Sequence, residues 1–334
     1  MRCNPFKCRS YFEIVFFHNV IVGVLVAHST LALAQSYPAK PITLVVGYPP
    51  GGSVDLVART LAPELGRRLG QAIVIDNAAG ASGTIGTQKV VNAAADGYTL
   101  LLGSGSEISI ARLTNPAVRY DGARDLSPLV LIGTQPMVLV GKATIAAKTT
   151  DELVAAAKRA PGKFSLASSG TGTPLHLAGE MINQQGHTQM VHVPYKGAAP
   201  MVNDILGGQI DLAVLVLSSA IQHIKAGKVR AFGVTEARRS SAAPDIPALN
   251  ESKALEGVDM GVWFGLFAPA RLPSAIADRL QKELVTTLAD PGVRSKLIDA
   301  GVNVVAAPAT ELAAYVSRDT TKYQRIVEIA KISE

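Results

Sequence analysis

From residue 42 onward, short apolar and β-branched runs alternate with stretches whose apolar positions recur every three to four residues. The first kind of pattern suits buried strands and the second suits amphipathic helices. It predicts strands over 42–46, 73–76 and 99–103, with helices near 54–69 and 84–93 between them. Residues 129–134 and 137–140 read as two extended pieces, and Thr149 or Thr150, ahead of Glu152, caps a helix that follows. A second set of units then runs as strand 164–167, helix 174–185, strand 190–194, helix 200–206, strand 212–216, helix 220–226 and strand 230–234. Beyond Pro244 and Pro247 come an extended 262–268, helices over 273–289 and 291–300, and a last helix from about 310 to 331. The alternation predicts an α/β fold with a mainly parallel sheet covered by helices.

About 300 residues after a leader exceed what one core usually holds, so two lobes are expected. The pattern restarts midway, while the terminal pieces lack enough strands for a domain of their own. They are expected to return to the first lobe. The division is 1–34 leader, 35–137 first part of lobe 1, 138–232 lobe 2, and 233–334 second part of lobe 1. The crossings fall near 135–140 and 230–236.

Residues 1–34 read as an export signal: a basic start at Arg2, Lys7 and Arg9, a mostly apolar run from Val15 to Val26, and Ala32-Leu33-Ala34 as the cleavage site. Glu13, His18 and Asn19 roughen that run, which leaves a retained anchor as the alternative to cleavage after Ala34. Both cysteines, Cys3 and Cys8, lie in the leader. The mature chain is thus expected to hold no disulfide, thiolate metal site or cysteine nucleophile, and a soluble periplasmic protein is the natural reading. The formal charge of +6 falls to +4 without the leader. It is dispersed and lacks interleaved aromatics, which argues against a nucleic-acid surface.

The chemistry sits in loops that follow predicted strands. Pro49-Pro50-Gly51-Gly52-Ser53-Val54-Asp55 is a stiffened, glycine-rich entry to a helix, whose N-terminal N–H groups and dipole suit a carboxylate. Gly103-Ser104-Gly105-Ser106, Ser168-Ser169-Gly170-Thr171-Gly172-Thr173-Pro174 and His192-Val193-Pro194-Tyr195-Lys196-Gly197 are the others. Ligands of open α/β sheets bind at the carboxyl ends of strands, so four such loops in two lobes imply a cleft between them. Turn formation alone would explain any one of these clusters. Four hydroxyls and two glycines at one helix entry, in 168–173, point further, to an anion.

These loops, together with Tyr37-Pro38-Ala39-Lys40-Pro41-Ile42, Gly80-Ala81-Ser82-Gly83-Thr84-Ile85-Gly86, Asp96-Gly97-Tyr98-Thr99-Leu100-Leu101 and Trp263-Phe264-Gly265-Leu266-Phe267-Ala268-Pro269, come in the order and spacing of the Bug family. The chain resembles these extracytoplasmic solute receptors of tripartite tricarboxylate transporters over nearly its whole mature length. The resemblance implies an α/β, two-lobed periplasmic binding protein, a flytrap with a ligand cleft between the lobes. It implies a small organic carboxylate as ligand, the membrane components of such a transporter as partners, a monomer, no cofactor and no catalysis. Carried over by position, the ligand-binding residues are Pro50, Gly51, Gly52, Asp55 and Ser104 in lobe 1, and Ser169, Thr171, Thr173, His176 and Tyr195 in lobe 2, with Lys196 weaker. Asp55 is expected to organise its loop more than to touch an anion, which a bare carboxylate would repel.

The sequence departs from the family pattern in two places. Residues 213–219 carry no acidic or amide side chain, so either the cleft wall is apolar there or the strand is core. Glu107 stands where small or neutral residues are common, and either receives a cation or faces solvent. The chain holds no Gly-x-Ser-x-Gly elbow, no His-Glu-x-x-His, no P-loop and no complete dinucleotide fingerprint. His176, His187, His192 and His223 lack metal-ligand spacing, and Trp263 and Phe264 suit core or hinge packing. A chemosensory receptor of the same fold and a hydrolase are the alternatives.

Overall fold

A computed structural model describes residues 37–240 and 242–333. The leader, its cysteines and its cleavage site lie outside the described residues. The elements follow as β1 (Ile42–Val46), α1 (Ser53–Leu69), β2 (Ile73–Asn77), α2 (Thr84–Val91), β3 (Thr99–Ser104), α3 (Ala111–Thr114), β4 (Leu126–Lys142), α4 (Thr150–Arg159), β5 (Ser165–Ser168), α5 (Pro174–Gly186), β6 (Val191–Pro194), α6 (Ala198–Leu206), β7 (Leu212–Val216), α7 (Leu217–Lys225), β8 (Val229–Val234), β9 (Gly261–Pro269), α8 (Ser274–Ala289), α9 (Pro291–Asp299), β10 (Asn303–Pro308) and α10 (Ala309–Ala330).

Local chemistry sets several of these boundaries. Helix α1 buries Val54, Val57, Ala58, Leu61 and Leu65 on one face and stops at Gly70, whose φ of 73° lets its N–H return to the Gly66 carbonyl. Helix α4 starts as the sequence predicts: the Thr149 side chain accepts from Glu152 N at 3.2 Å, and Glu152 reaches back to Lys148 N at 2.7 Å. Asp290 caps α9 through Gly292 N and Val293 N, with Pro291 where its missing N–H does no harm.

The sheet is mixed, not mainly parallel. Strands β2, β1 and β3 are parallel to one another, as are β6, β5 and β7, but β9, β10, β7 and β8 all join β4 antiparallel. The misreading has a physical cause, because helices cover both faces of the central strands. All nine residues of β9 are buried, giving the continuous apolar run that usually marks a parallel strand.

Strand β4 also corrects the expectation of two separate pieces. It runs unbroken for 17 residues through Pro128 and Pro136, which would normally demote a strand. Pro128 sits beside a register shift against β9. Pro136 sits where the partners change, because residues up to 136 pair with β9 and those from Met137 onward pair with β7 and β8. One strand thus belongs to two sheets, and the described residues from Lys40 onward form one compact unit around it. The strand β10 was not expected. Its register breaks between Val304 and Ala307, and Ala306 takes a φ of 55°, so it lacks the alternation that marks a strand.

A core cluster of Val45, Leu101, Leu131, Trp263, Phe267, Leu312 and Val316 joins β1, β3, β4 and β9 to α10. The last helix therefore packs on the sheet formed first. Trp263 and Phe264 are fully buried, as expected of core residues, and Trp263 meets Tyr315 edge-on with ring centres 6.0 Å apart.

Candidate functional site

Strand register places the loops. Ser104 at the end of β3 aligns with Phe264, which aligns with Gly133 of β4, while Val216 at the end of β7 aligns with Met137. Since β3 runs along β4 and β7 runs against it, the two strands end facing each other across the short belt Gly133–Met137. Strand β1 is parallel to β3, and β5 and β6 are parallel to β7. The carboxyl ends of both parallel sets, with the four loops singled out in the sequence, therefore open onto one junction.

The turn after β1 presents open backbone N–H groups at the start of a helix. Gly51 has a φ of 89°, and Gly52 is the N-cap residue with no side-chain cap on the helix. Among the described residues, the N–H groups of Gly52, Ser53 and Val54 have no acceptor, and all three lie at the N-terminus of a helix long enough to carry a full dipole. Asp55 is engaged by its own partners. It is buried, and its Oδ2 accepts from Gly51 N at 2.9 Å and Arg59 Nε at 2.8 Å while Oδ1 accepts from Asn77 Nδ2 at 2.9 Å. Burial alone would raise its carboxyl, but the bonds from Arg59, Gly51 and Asn77 prevail and hold it at about 2. Asn77 also donates to the Tyr48 carbonyl at 3.0 Å, tying the end of β2 to the turn.

Glu107 neither faces solvent nor stands ready for a cation, contrary to both expectations. It is 1% exposed, on a single π turn over Ser106–Ile110, and its carboxylate accepts from Ser104 N at 2.6 Å, Ser104 Oγ at 2.8 Å and Tyr48 Oη at 2.6 Å. Burial pushes its carboxyl up to about 6 in spite of these donors. Ser104, an expected ligand residue, thus gives both its donors to Glu107. Gly83 roofs the cluster with a φ of 92°, and a Cβ there would lie 3.1 Å from both Glu107 Oε2 and Tyr48 Oη.

In the hydroxyl loop the residues divide. Thr173 caps α5 by accepting from His176 N at 3.3 Å and donates to the Gly170 carbonyl at 2.8 Å, while Ser168 bonds His192 Nε2 at 2.7 Å. Thr171 has no hydrogen-bond partner among the described residues, and Ser169 has only a 3.4 Å contact with Thr173. Both are half-buried. His176 lies beneath the loop, 6% exposed, stacked on His192 with ring centres 3.7 Å apart. Its Nδ1 accepts from Gly172 N at 3.2 Å, which leaves Nε2–H facing Glu180. Burial first, then His192, lowers its pKa to about 4, so the ring is neutral at pH 7. Tyr195 donates to Asp204 Oδ2 at 2.6 Å and sends its N–H to the Ser168 carbonyl, and Lys196 is exposed.

The apolar stretch after Asp211 is mostly core. Val214, Leu215 and Leu217 are at most 4% exposed, leaving Val216 alone half-buried at the strand end. Behind the junction Gln135 donates to Ser218 Oγ at 3.1 Å and to the Ala300 carbonyl at 2.9 Å, and Thr134 donates to Glu236 at 3.2 Å. A separate groove of about 690 Å³ lies on the outer flank of the turn between α1 and α9, its charged wall mixing Arg59, Arg67 and Lys296 with Glu64 and Asp290. Among the described residues no His, Cys, Asp or Glu cluster is arranged for a metal ion, and no helix is long and apolar enough to cross a membrane.

Sequence reasoning missed Tyr48, Asn77, Glu107 as an acceptor, His192 and Gln135. Asn77 and Tyr48 each stand at or just past the carboxyl end of a parallel strand, which was the available signal. The His176–His192 stack had none, since the two rings come from different elements.

A family model described as the tripartite tricarboxylate transporter family receptor matches residues 57–332. The protein BugT of Bordetella pertussis is 32% identical over 311 residues, spanning 92% of this chain and 95% of its own. Three solved structures share the fold. The periplasmic binding protein BugD is 33% identical with a TM-score of 0.76, covering 89% of this chain and 99% of its own. MatC from Rhodopseudomonas palustris, with bound malate, is 28% identical with a TM-score of 0.76 over 87% of this chain and 100% of its own. Rpa4515 of R. palustris, with adipate, is 28% identical with a TM-score of 0.78 over 89% of this chain and 99% of its own.

Proposed function

This chain belongs to the tripartite tricarboxylate transporter receptor family, and from that premise we propose that it captures a small organic carboxylate in the periplasm and delivers it to the membrane components of such a transporter. Its fold is the mixed α/β fold of the Bug-type periplasmic binding proteins. The observation that carries the ligand class is the turn at Gly52–Val54, whose N–H groups lack acceptors among the described residues while Asp55 is paired with Arg59 and hydrogen-bonded by Gly51 and Asn77. Relatives of the same fold hold malate and adipate, which supports a carboxylate here.

In this reading Pro50, Gly51 and Gly52 seat the carboxylate, Asp55 fixes their turn, and Ser169 and Thr171 close over the ligand from the other side. Thr173, His176 and Tyr195 hold the hydroxyl loop in shape. The two lobes are 35–137 with 233–334, and 138–232, and rotation takes place at 135–140 and 230–236. The chain acts as a monomer, without cofactor or catalysis, after cleavage behind Ala34.

A thermal-shift panel tests the ligand class. A ligand at about a hundred times its dissociation constant stabilises a fold by roughly 2.7 kcal/mol. Carboxylates should produce such a shift; a panel in which only sugars, cations or neutral solutes do so refutes the reading. Recovery from the periplasmic fraction of a chain starting at Gln35 tests export. Uptake lost on deletion of the gene separates transport from chemosensing, and turnover of an ester or amide would favour the hydrolase.

A further inference from the structure

We propose that Glu107 makes this receptor selective for ligands carrying a single carboxylate, because its own carboxylate fills the second anion niche of lobe 1. The inference rests on the carboxylate-binding reading above. The niche consists of a backbone N–H, a serine hydroxyl and a phenol, from Ser104 and Tyr48, all within 2.8 Å of the Glu107 oxygens. Converging donors of this kind are what recognise a ligand carboxylate. Tyr48 follows β1 and Ser104 ends β3, so the niche lies at strand ends that open onto the junction, beside the turn at Gly51–Val54.

The charge that fills it is not cancelled. The groups facing Glu107 are Tyr48 from the β1 side, Ser104 from the end of β3, Gly83 from the loop before α2, and Tyr120, whose hydroxyl donates to the Glu107 carbonyl at 2.7 Å. No Lys, Arg or His pairs with it among the described residues. A second ligand carboxylate over these strand ends would meet no free donor from Ser104 and a fixed like charge beneath. Two unit charges about 7 Å apart at an effective dielectric of about 20 repel strongly enough to change an equilibrium constant roughly fiftyfold. The part of the ligand lying over β3 is therefore neutral, or carries a hydrogen-bond donor.

A carboxylate three residues beyond a turn could also serve only to brace that turn. The two roles differ in what they move. A brace supports every ligand equally, whereas a filled niche changes the ratio of mono- to dicarboxylate affinity.

The experiment is isothermal titration calorimetry of the full mature protein at pH 8 with matched pairs: hexanoate and adipate, benzoate and terephthalate, butyrate and succinate. Wild type should bind the monocarboxylate of any productive pair at least tenfold more tightly. Glu107→Gln should tighten the dicarboxylate at least tenfold and change the monocarboxylate less than threefold. Equal or tighter dicarboxylate binding by wild type overturns the inference and leaves the carboxylate reading standing, as does a Glu107→Gln variant that weakens both partners equally or leaves their ratio unchanged. Failure of every carboxylate in a panel where other solutes bind overturns both. Should the variant not fold, the wild-type ratios decide alone.

Discussion

Replacing Asp55 by Asn keeps the side chain's shape and removes its charge from the turn proposed to seat the anion. The carboxylate accepts three bonds, from Gly51 N, Arg59 Nε and Asn77 Nδ2. An amide offers one accepting oxygen and sets an N–H₂ against the remaining donors. The native carboxyl is held at about 2 against an ordinary 3.8, which corresponds to roughly 2.4 kcal/mol in favour of the ionised form. Arg59 is 55% exposed, so water screens its share, and about 2 kcal/mol is the expected loss. For a chain of this size that lowers Tm by roughly 3 °C.

The pH dependence fixes the cause. A depressed carboxyl adds stability that is fully present above 3.8 and disappears as pH falls through about 2. Urea unfolding of wild type and Asp55→Asn should therefore differ most at neutral pH and converge as pH falls from about 3.8 to about 2. Carboxylate affinity should fall with stability, since the turn loses the anchor on Gly51. Equal stability at pH 7, or a gap that persists unchanged at pH 3, would refute the argument that Asp55 acts as an ionised brace.

Gly51 and Gly52 should respond differently to the same change. Gly51→Val places a β-branched residue at a φ of 89°, with a loss of about 1–3 kcal/mol read by urea unfolding, whereas Gly52 has a φ of −76° and its nearest obstacle at 3.7 Å. Gly52→Val should fold with a wild-type Tm and lose carboxylate binding in calorimetry; retained binding would count against backbone approach at that residue. His176, at about 4 instead of 6.5, favours the folded state when neutral, so stability should fall by up to roughly 3 kcal/mol as pH drops from 6.5 to 4. An NMR titration showing His176 protonated at pH 6 would exclude that origin. Saturation with ligand should reduce the radius of gyration in solution scattering, since no single loop encloses the anion, and an unchanged radius would argue against closure.

What the sequence discloses and what it hides follow from where each interaction is local. Strands β1 and β7 match their predicted bounds, and the caps at Thr149 and Thr173 can be read from adjacent residues, because a helix start is decided within one turn. The glycine turn was legible for the same reason. Strand direction was not, since β9 and β4 are buried on both faces and a run of apolar residues carries no sign of which way its neighbour points. The continuity of β4 through its prolines was hidden for a related reason. A missing N–H forbids a continuing ladder only if a partner is waiting, and at Pro136 the partner is changing.

The same distinction separates the two acidic residues of lobe 1. Asp55 lies four residues from Gly51 and four from Arg59, so its bracing role is visible in the sequence before Asn77 is known. Glu107 also has a near partner in Ser104, but its significance depends on Tyr48, 59 residues away, and on the glycine roof at Gly83. In sequence it is an acidic residue in a loop, which suggests either a cation or solvent. In the structure it is a carboxylate held as a ligand would be held, and a site that holds its own anion has decided something about the anions it will accept.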